Sequence, residues 1–248
     1  MLRLLALLCV IALPVKGEEI VLGLSQDEVS ITATFDGSDL LIFGAIKRDA
    51  PKATGQLGII VAVAGPDAPV TVRRKDRRLG IWVNTDAVHI DSAPSFYAVA
   101  TSAPFDDILT RNEDLRNRIT LRQMVRDTGA EVMDAGNFSQ ALIRVRSESG
   151  LFQNLEGQVD FEEDTLFRAA IALPANLTEG DYETRIFLTR DGQVIDSYTT
   201  EIPVKKVGLE RWLYNLAHQN AFLYGLMSLA IAIGAGWLAS AAFNLMRR

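Results

Sequence analysis

FLYGLMSLAIAIGAGWLASAAF, residues 222–243, is a run of 22 residues without a charged side chain. As a helix rising about 1.5 Å per residue it covers roughly 30 Å, the depth of a bilayer's hydrocarbon core. A helix also satisfies its own backbone hydrogen bonds, which hydrocarbon cannot do for it. The stretch therefore predicts one transmembrane helix over 222–243, with 244–248 left as a short tail. Inside it, Ser228, Ala232, Gly236 and Ser240 recur every fourth residue. Such a line of small residues lets another helix approach closely, which makes it a candidate packing stripe for a polytopic partner or a second copy; small residues are also common in membrane helices for no such reason.

Just before the span, Leu209, Trp212, Leu213, Leu216 and Ala217 share one helical face within 208–221. This predicts an interfacial helix, with Trp212 and Tyr214 at headgroup depth.

At the other end, MLRLLALLCVIALPVKG (residues 1–17) carries Arg3, then an apolar run from Leu4 to Leu13, then Val15-Lys16-Gly17. That is the pattern of a secretory signal peptide cleaved before Glu18; the run is short for a membrane span. An uncleaved anchor or a buried helix is the other reading. With a cleaved signal, the body lies outside the cytoplasm and 244–248 inside. Basic residues flank both ends of the span, Lys205, Lys206 and Arg211 on one side and Arg247 and Arg248 on the other. The positive-inside rule alone therefore does not orient it. The sole cysteine, Cys9, lies in the leader, which leaves the mature chain without disulfides, thiolate metal sites or a cysteine nucleophile.

Between the two apolar ends the chain is acidic. From Glu18 to Pro203 there are 30 acids against 18 bases, a net of −12. Such a body repels nucleic acid, and no nucleic-acid motif opposes that reading.

The body reads as mainly β. Val29, Ile31, Ala33 and Phe35 alternate with polar residues, while Leu40–Ile46 and Leu57–Ala64 are apolar runs of strand length. Gly and Pro punctuate them. An immunoglobulin-like sandwich over 18–104 is the expectation. Residues 105–150 read as a helical linker or insertion. Ile108, Leu115 and Ile119, with Leu109 and Met124 nearby, give one stripe there, and Phe138, Leu142 and Val145 another, closed by Gly150. The β pattern returns over 151–207, with Asp191-Gly192 as a hairpin turn and Glu179-Gly180-Asp181-Tyr182 resembling the tyrosine corner of sandwich domains. This favours a second, smaller β-rich domain. One continuous sandwich with a helical insertion is the alternative.

The densest positive patch is RRKDRR, with Arg73, Arg74, Lys75, Arg77 and Arg78. It is the candidate docking site for an anion, a lipid headgroup or an acidic partner. A solvated hairpin whose charges pair with nearby acids would also account for it. Trp82, four residues on, reads as core.

Catalytic chemistry is not legible. His89, in a predicted strand, reads as a partly buried structural residue, and His218 sits at the membrane boundary. Glu162-Glu163-Asp164 lacks the spacing of a calcium loop and reads as a solvated turn. There is no nucleophile elbow, phosphate loop or dinucleotide fingerprint. No cofactor or metal is expected.

Several segments together resemble the alphaproteobacterial putative transmembrane protein family: VRRK at 72–75, GIWVN at 80–84, PSFYAVATSAP at 94–104, LFRAAIALPANLTEGDY at 166–182, FLTRDGQVI at 187–195 and LYGLMSLAIAIGAGWLA at 223–239. The resemblance covers almost the whole mature chain. It implies a secreted and then anchored membrane protein and carries over no activity, cofactor or catalytic residue. Members look like genomic neighbours of sulfite-exporter-type permeases, which points toward transport accessory work. The expectation is a single-pass protein of a bacterial inner membrane, its main domain periplasmic, acting as a non-enzymatic accessory or interaction subunit of a membrane complex such as a transporter. The alternative is a periplasmic binding module for a small anion.

Overall fold

The computed structural model of the chain describes residues 18–26, 28–32, 35–48, 51, 53–125, 135–206 and 209–246. The expected signal peptide, the Ala33-Thr34 part of the predicted first alternating strand and the last two residues of the tail lie outside them.

The chain begins with β1 (Glu19–Leu24), β2 (Val29–Ile31), β3 (Gly37–Lys47) and β4 (Leu57–Ala64). A long hairpin follows, β5 (Asp67–Arg78) and β6 (Ile81–Pro94), and then β7 (Tyr97–Thr101). The helices α1 (Phe105–Ile108), α2 (Arg111–Asn117), α3 (Leu121–Met124) and α4 (Ala135–Glu148) come next. The remaining strands are β8 (Phe152–Leu155), β9 (Asp160–Glu162), β10 (Leu166–Pro174), β11 (Gly180–Arg190) and β12 (Gln193–Lys206). Two helices end the chain, α5 (Leu209–Gln219) and α6 (Ala221–Met246). The described strands dominate, as the sequence implied.

Asp36–Val204 falls within one compact unit. Its first sheet runs β1–β3–β10–β9, antiparallel throughout. β10 alternates: Phe167, Ala169, Ile171 and Leu173 are buried, Leu166, Arg168, Ala170 and Ala172 are exposed, and Pro174 at its end is half-buried. Its partner β3 buries Leu40, Ile42 and Ile46. This is the period of a sheet with one wet face. The second sheet has six strands in the order β2–β12–β11–β4–β7–β8. At its centre β4 is buried at every residue. One side of β4 (Ile60, Ala62, Ala64) enters a cluster with Ile108, Ile119, Phe138, Leu142, Val88 and Ile90. The alternate set, Ile59, Val61 and Val63, is buried on the other face, toward β10, which packs on β7. A strand covered on both faces needs apolar residues at both parities, which is why LGIIVAVA reads as an unbroken run. Each such Ile contributes roughly 1.5–3 kcal/mol by its burial.

The expected second domain is not separate. β10 pairs with β3 along nine residues, and β11 pairs with β4 along eight. Strands from both halves thus share both sheets, and residues 105–150 mark no domain boundary; the described part of this segment is an insertion between β7 and β8. Those two strands pair in parallel. Parallel neighbours need a long crossover, and the helices supply it while covering the second sheet.

The insertion differs in detail from its expectation. One stripe over 105–124 breaks into three short helices, because Leu109 and Thr110 are extended and Arg118 is left-handed at φ 50°. Asp114 accepts bonds from the backbone N–H of Ile119 and Thr120 and from the Thr120 hydroxyl, which fixes the bend. Ile108 and Ile119 are buried as expected, but Leu115 is exposed. In α4, Phe138 and Leu142 are buried while Val145 faces solvent. Gly150, at φ +74°, closes that helix as predicted.

Two local motifs stand as read. Asp191 and Gly192 both have positive φ and join β11 to β12. The Tyr182 hydroxyl donates to the Thr178 carbonyl at 2.9 Å, four residues upstream, with its ring buried against Phe96. That is the bond a tyrosine corner makes.

Residues 30–35 and 205–248 form the other unit. In it α6 has no charged residue from Ala221 to Met246, and its most apolar part is the 20-residue stretch Ala221–Ser240, mean hydropathy 1.8, with no burial against protein.

Candidate functional site

The basic run lies in the β5–β6 hairpin, a two-stranded ribbon whose base is rooted in the core. Val88 and Ile90 of β6 are buried, and Val70 and Val72 of β5 pack against the same cluster. Arg146 of α4 ties the base down. Its guanidinium lies over the Phe152 ring at 5.2 Å and donates to the Pro94 carbonyl, and its burial lowers its pKa.

The register sorts the cations onto two faces. Val70, Val72, Arg74, Asp76 and Arg78 alternate along one side of β5, the side that meets α4. There Arg74 lies over the buried Phe138 ring at 4.6 Å and 3.7 Å from Asp86. Arg78 is 3.9 Å from Asp76. These cations line an open cleft that reaches around the ribbon at the register shift between Arg74 and Lys75, so that Lys75 and Asn84 border it from the opposite face beside Val83 and Thr85, and the cleft holds the two carboxylates as well. The opposite face carries Arg73, Lys75 and Arg77, opposite Ala87, Asn84 and Trp82 respectively. All three are exposed. The hairpin expectation is thus met for Arg74 and Arg78, whose charges face neighbouring acids, while Arg73, Lys75 and Arg77 line the outer face.

The ribbon closes through Leu79 (φ 50°) and Gly80 (φ 87°), two left-handed residues in succession. This geometry suits a two-residue hairpin turn and is normally occupied by Asn-Gly or Asp-Gly. Leu79 has a β-carbon that pays for the conformation, and its side chain is 104% exposed. Ile81 is 65% and Trp82 68% exposed beside it. The core assignment of Trp82 is therefore corrected. Alternation placed it on a face, but the ribbon extends past the elements that would cover that face. The apolar tip Leu79-Ile81-Trp82 was missed as a surface feature. Its signal was a turn-forming Leu-Gly set directly between a basic run and Ile-Trp-Val.

The histidines are also placed. His89 is exposed rather than partly buried, 3.3 Å from the Thr71 hydroxyl and 3.9 Å from Asp91. His218 stacks on Tyr214 at 4.0 Å, one turn away in α5. Glu163 and Asp164, both with positive φ, make the tight turn from β9 to β10, in which Glu163 is exposed and Asp164 half-buried. Among the described residues no group of three or more His, Asp or Glu side chains is gathered to hold a metal.

The polar contacts inside the body are architectural. Tyr97 is fully buried and donates to the Ile119 carbonyl at 2.6 Å; burial raises its pKa well above the usual tyrosine range, against the nearby Arg185 guanidinium. Arg185 donates to the carbonyls of Asn117 and Arg118 at 2.9 and 3.1 Å, pinning the helical insertion to β11. Glu18 bridges Arg48 and Arg190.

In the unit that carries the span, Ser228, Ala232, Gly236 and Ser240 are all exposed along α6. A β-carbon added to Gly236 meets nothing within 4 Å. In α5, Trp212 and Tyr214 are exposed, and Leu213, Leu216 and Ala217 are half-buried. The side chains of Leu209 and Arg211 lie outside the described residues.

No curated protein matches the chain. The model of the family described as "Putative transmembrane protein (Alph_Pro_TM)" matches residues 19–245, nearly the whole chain including the apolar helix, and the chain belongs to that family.

Proposed function

We propose that this protein is a non-enzymatic accessory or interaction subunit of a bacterial inner-membrane complex. Its span anchors it, its β body stands in the periplasm, and a transporter is the kind of partner it serves. The observation that carries this reading is the ribbon: a rigidly rooted hairpin that presents Leu79, Ile81 and Trp82 beside exposed cations. Exposed apolar groups at the end of a well-packed element are the mark of a contact surface. The line of small residues on α6 supports a second contact inside the bilayer. A periplasmic orientation rests on the leader pattern. The small-anion reading has less support, because the cleft beside the ribbon already carries Asp76 and Asp86 facing its arginines.

The test is recovery of the full-length protein from native membranes in mild detergent. A polytopic membrane protein should come with the unaltered chain and be depleted with Gly236→Leu, at a position where an added β-carbon meets nothing within 4 Å in the chain itself. Recovery of this chain alone, from wild type and variant alike, would refute the accessory reading.

A further inference from the structure

We propose that the tip of the β5–β6 ribbon is a lipid-contacting element that seats in the headgroup layer of an anionic bilayer. The proposal rests on reading the ribbon as a contact element, and it names what the ribbon contacts.

The chemistry is that of an interface. Trp82 and Arg77 are cross-strand partners, and Arg73 and Lys75 extend the same face. An aromatic ring beside cations is the pairing that sits at headgroup depth, with the ring among the upper acyl carbons and the cations on phosphates. Leu79 projects from the turn itself. It holds a left-handed conformation that Asn or Gly would adopt at lower cost, and it makes no use of its side chain within the fold. A fully exposed leucine in a strained turn is accounted for by an apolar environment outside the molecule.

Charge confines the contact to this tip. The remainder of the body is strongly acidic and is repelled by anionic lipid, whereas the ribbon's outer face reverses the sign. For an anchored chain whose tip reaches the bilayer the contact is intramolecular, so a weak affinity suffices.

The chain has three tryptophans, Trp82, Trp212 and Trp237. Replacing the last two by Phe makes Trp82 the only indole in the full-length protein. Reconstituted into vesicles of phosphatidylglycerol and phosphatidylcholine with brominated acyl chains, Trp82 should show blue-shifted, quenched emission. Both effects should be lost in vesicles of phosphatidylcholine alone, and lost again with Arg73→Glu/Arg77→Glu or with Leu79→Asn in the anionic vesicles. Far-UV circular dichroism confirms that each variant is folded. Water-like, unquenched Trp82 emission in the anionic vesicles would overturn the proposal. So would emission that shifts only when the co-purified partner is added, which would assign the tip to an acidic protein and leave the accessory reading standing. Quenching without any co-purified partner would keep the lipid contact and remove the accessory role.

Discussion

Arg77 and Trp82 face each other across the β5–β6 ribbon, one register step from the turn. Both point away from the side that packs on α4, so neither contributes to the core. The ribbon is thus built in two parts. Its base is held by Val88, Ile90 and the α4 contacts, and its tip holds only its own hydrogen bonds.

The turn offers the first prediction. Leu79 at φ 50° carries a strain that Asn does not, and its side chain gains nothing from the fold. Leu79→Asn should stabilise the protein by about 1 kcal/mol, read as a higher denaturation midpoint. A loss of stability would show that Leu79 packs on something in the folded chain.

Tyr97 makes a pH prediction. Its pKa is raised in the fold by burial, so folding is linked to the neutral phenol. The stability this provides is complete below the unfolded tyrosine value, about 10, and is lost as pH rises above it. Tyr97→Phe removes the hydroxyl from the Ile119 carbonyl and should cost about 1–3 kcal/mol at neutral pH. The variant should also lose less stability than wild type between neutral and strongly alkaline pH. An equal alkaline loss in both would place that titration elsewhere.

Glu18 should matter beyond a surface charge. Its carboxylate is nearly buried between Arg48 and Arg190, whose side chains are themselves mostly covered. Glu18→Ala leaves two guanidinium groups facing each other without their anion and should destabilise by roughly 3 kcal/mol. A change smaller than 1 kcal/mol in chemical denaturation, on the order of an exposed pair, would show that water already screens the cluster.

Gly58 is a packing position. A β-carbon there would come within 2.7 Å of Ile108 and of the Thr189 hydroxyl. Gly58→Ala should cost about 1–3 kcal/mol by overpacking and should loosen α1 from β4, seen as faster amide exchange in α1. Unchanged stability would mean that Ile108 can retreat freely.

What the sequence made legible was local. The alternation of β10, the Asp191-Gly192 turn, the Tyr182 corner and the apolar helix are each specified within one stretch of chain. The pairing of β3 with β10 and of β4 with β11 joins residues far apart, and no local pattern announces it; that is why a second domain was expected where the strands complete the first. Leu115 and Val145 failed for a related reason. Helical spacing defines a face, but breaks at Leu109 and Arg118 turn α2, and α4 buries a narrower stripe than its apolar residues would allow. At the docking site the cations were legible as a cluster. Their division between two faces, and the exposure of Trp82, depend on how far the ribbon outruns its support.

Everything proposed for this protein depends on one helix anchoring a periplasmic β body. The direct measurement is labelling of single cysteines in a Cys9→Ser background by a membrane-impermeant maleimide on spheroplasts, with Glu201→Cys reporting the body and Asn244→Cys the tail. Glu201→Cys should be labelled in intact spheroplasts, Asn244→Cys should be labelled only after lysis, and the protein should stay in the membrane pellet at alkaline pH. Labelling of the tail but not the body in intact spheroplasts, or release of the protein by alkaline extraction, would contradict it.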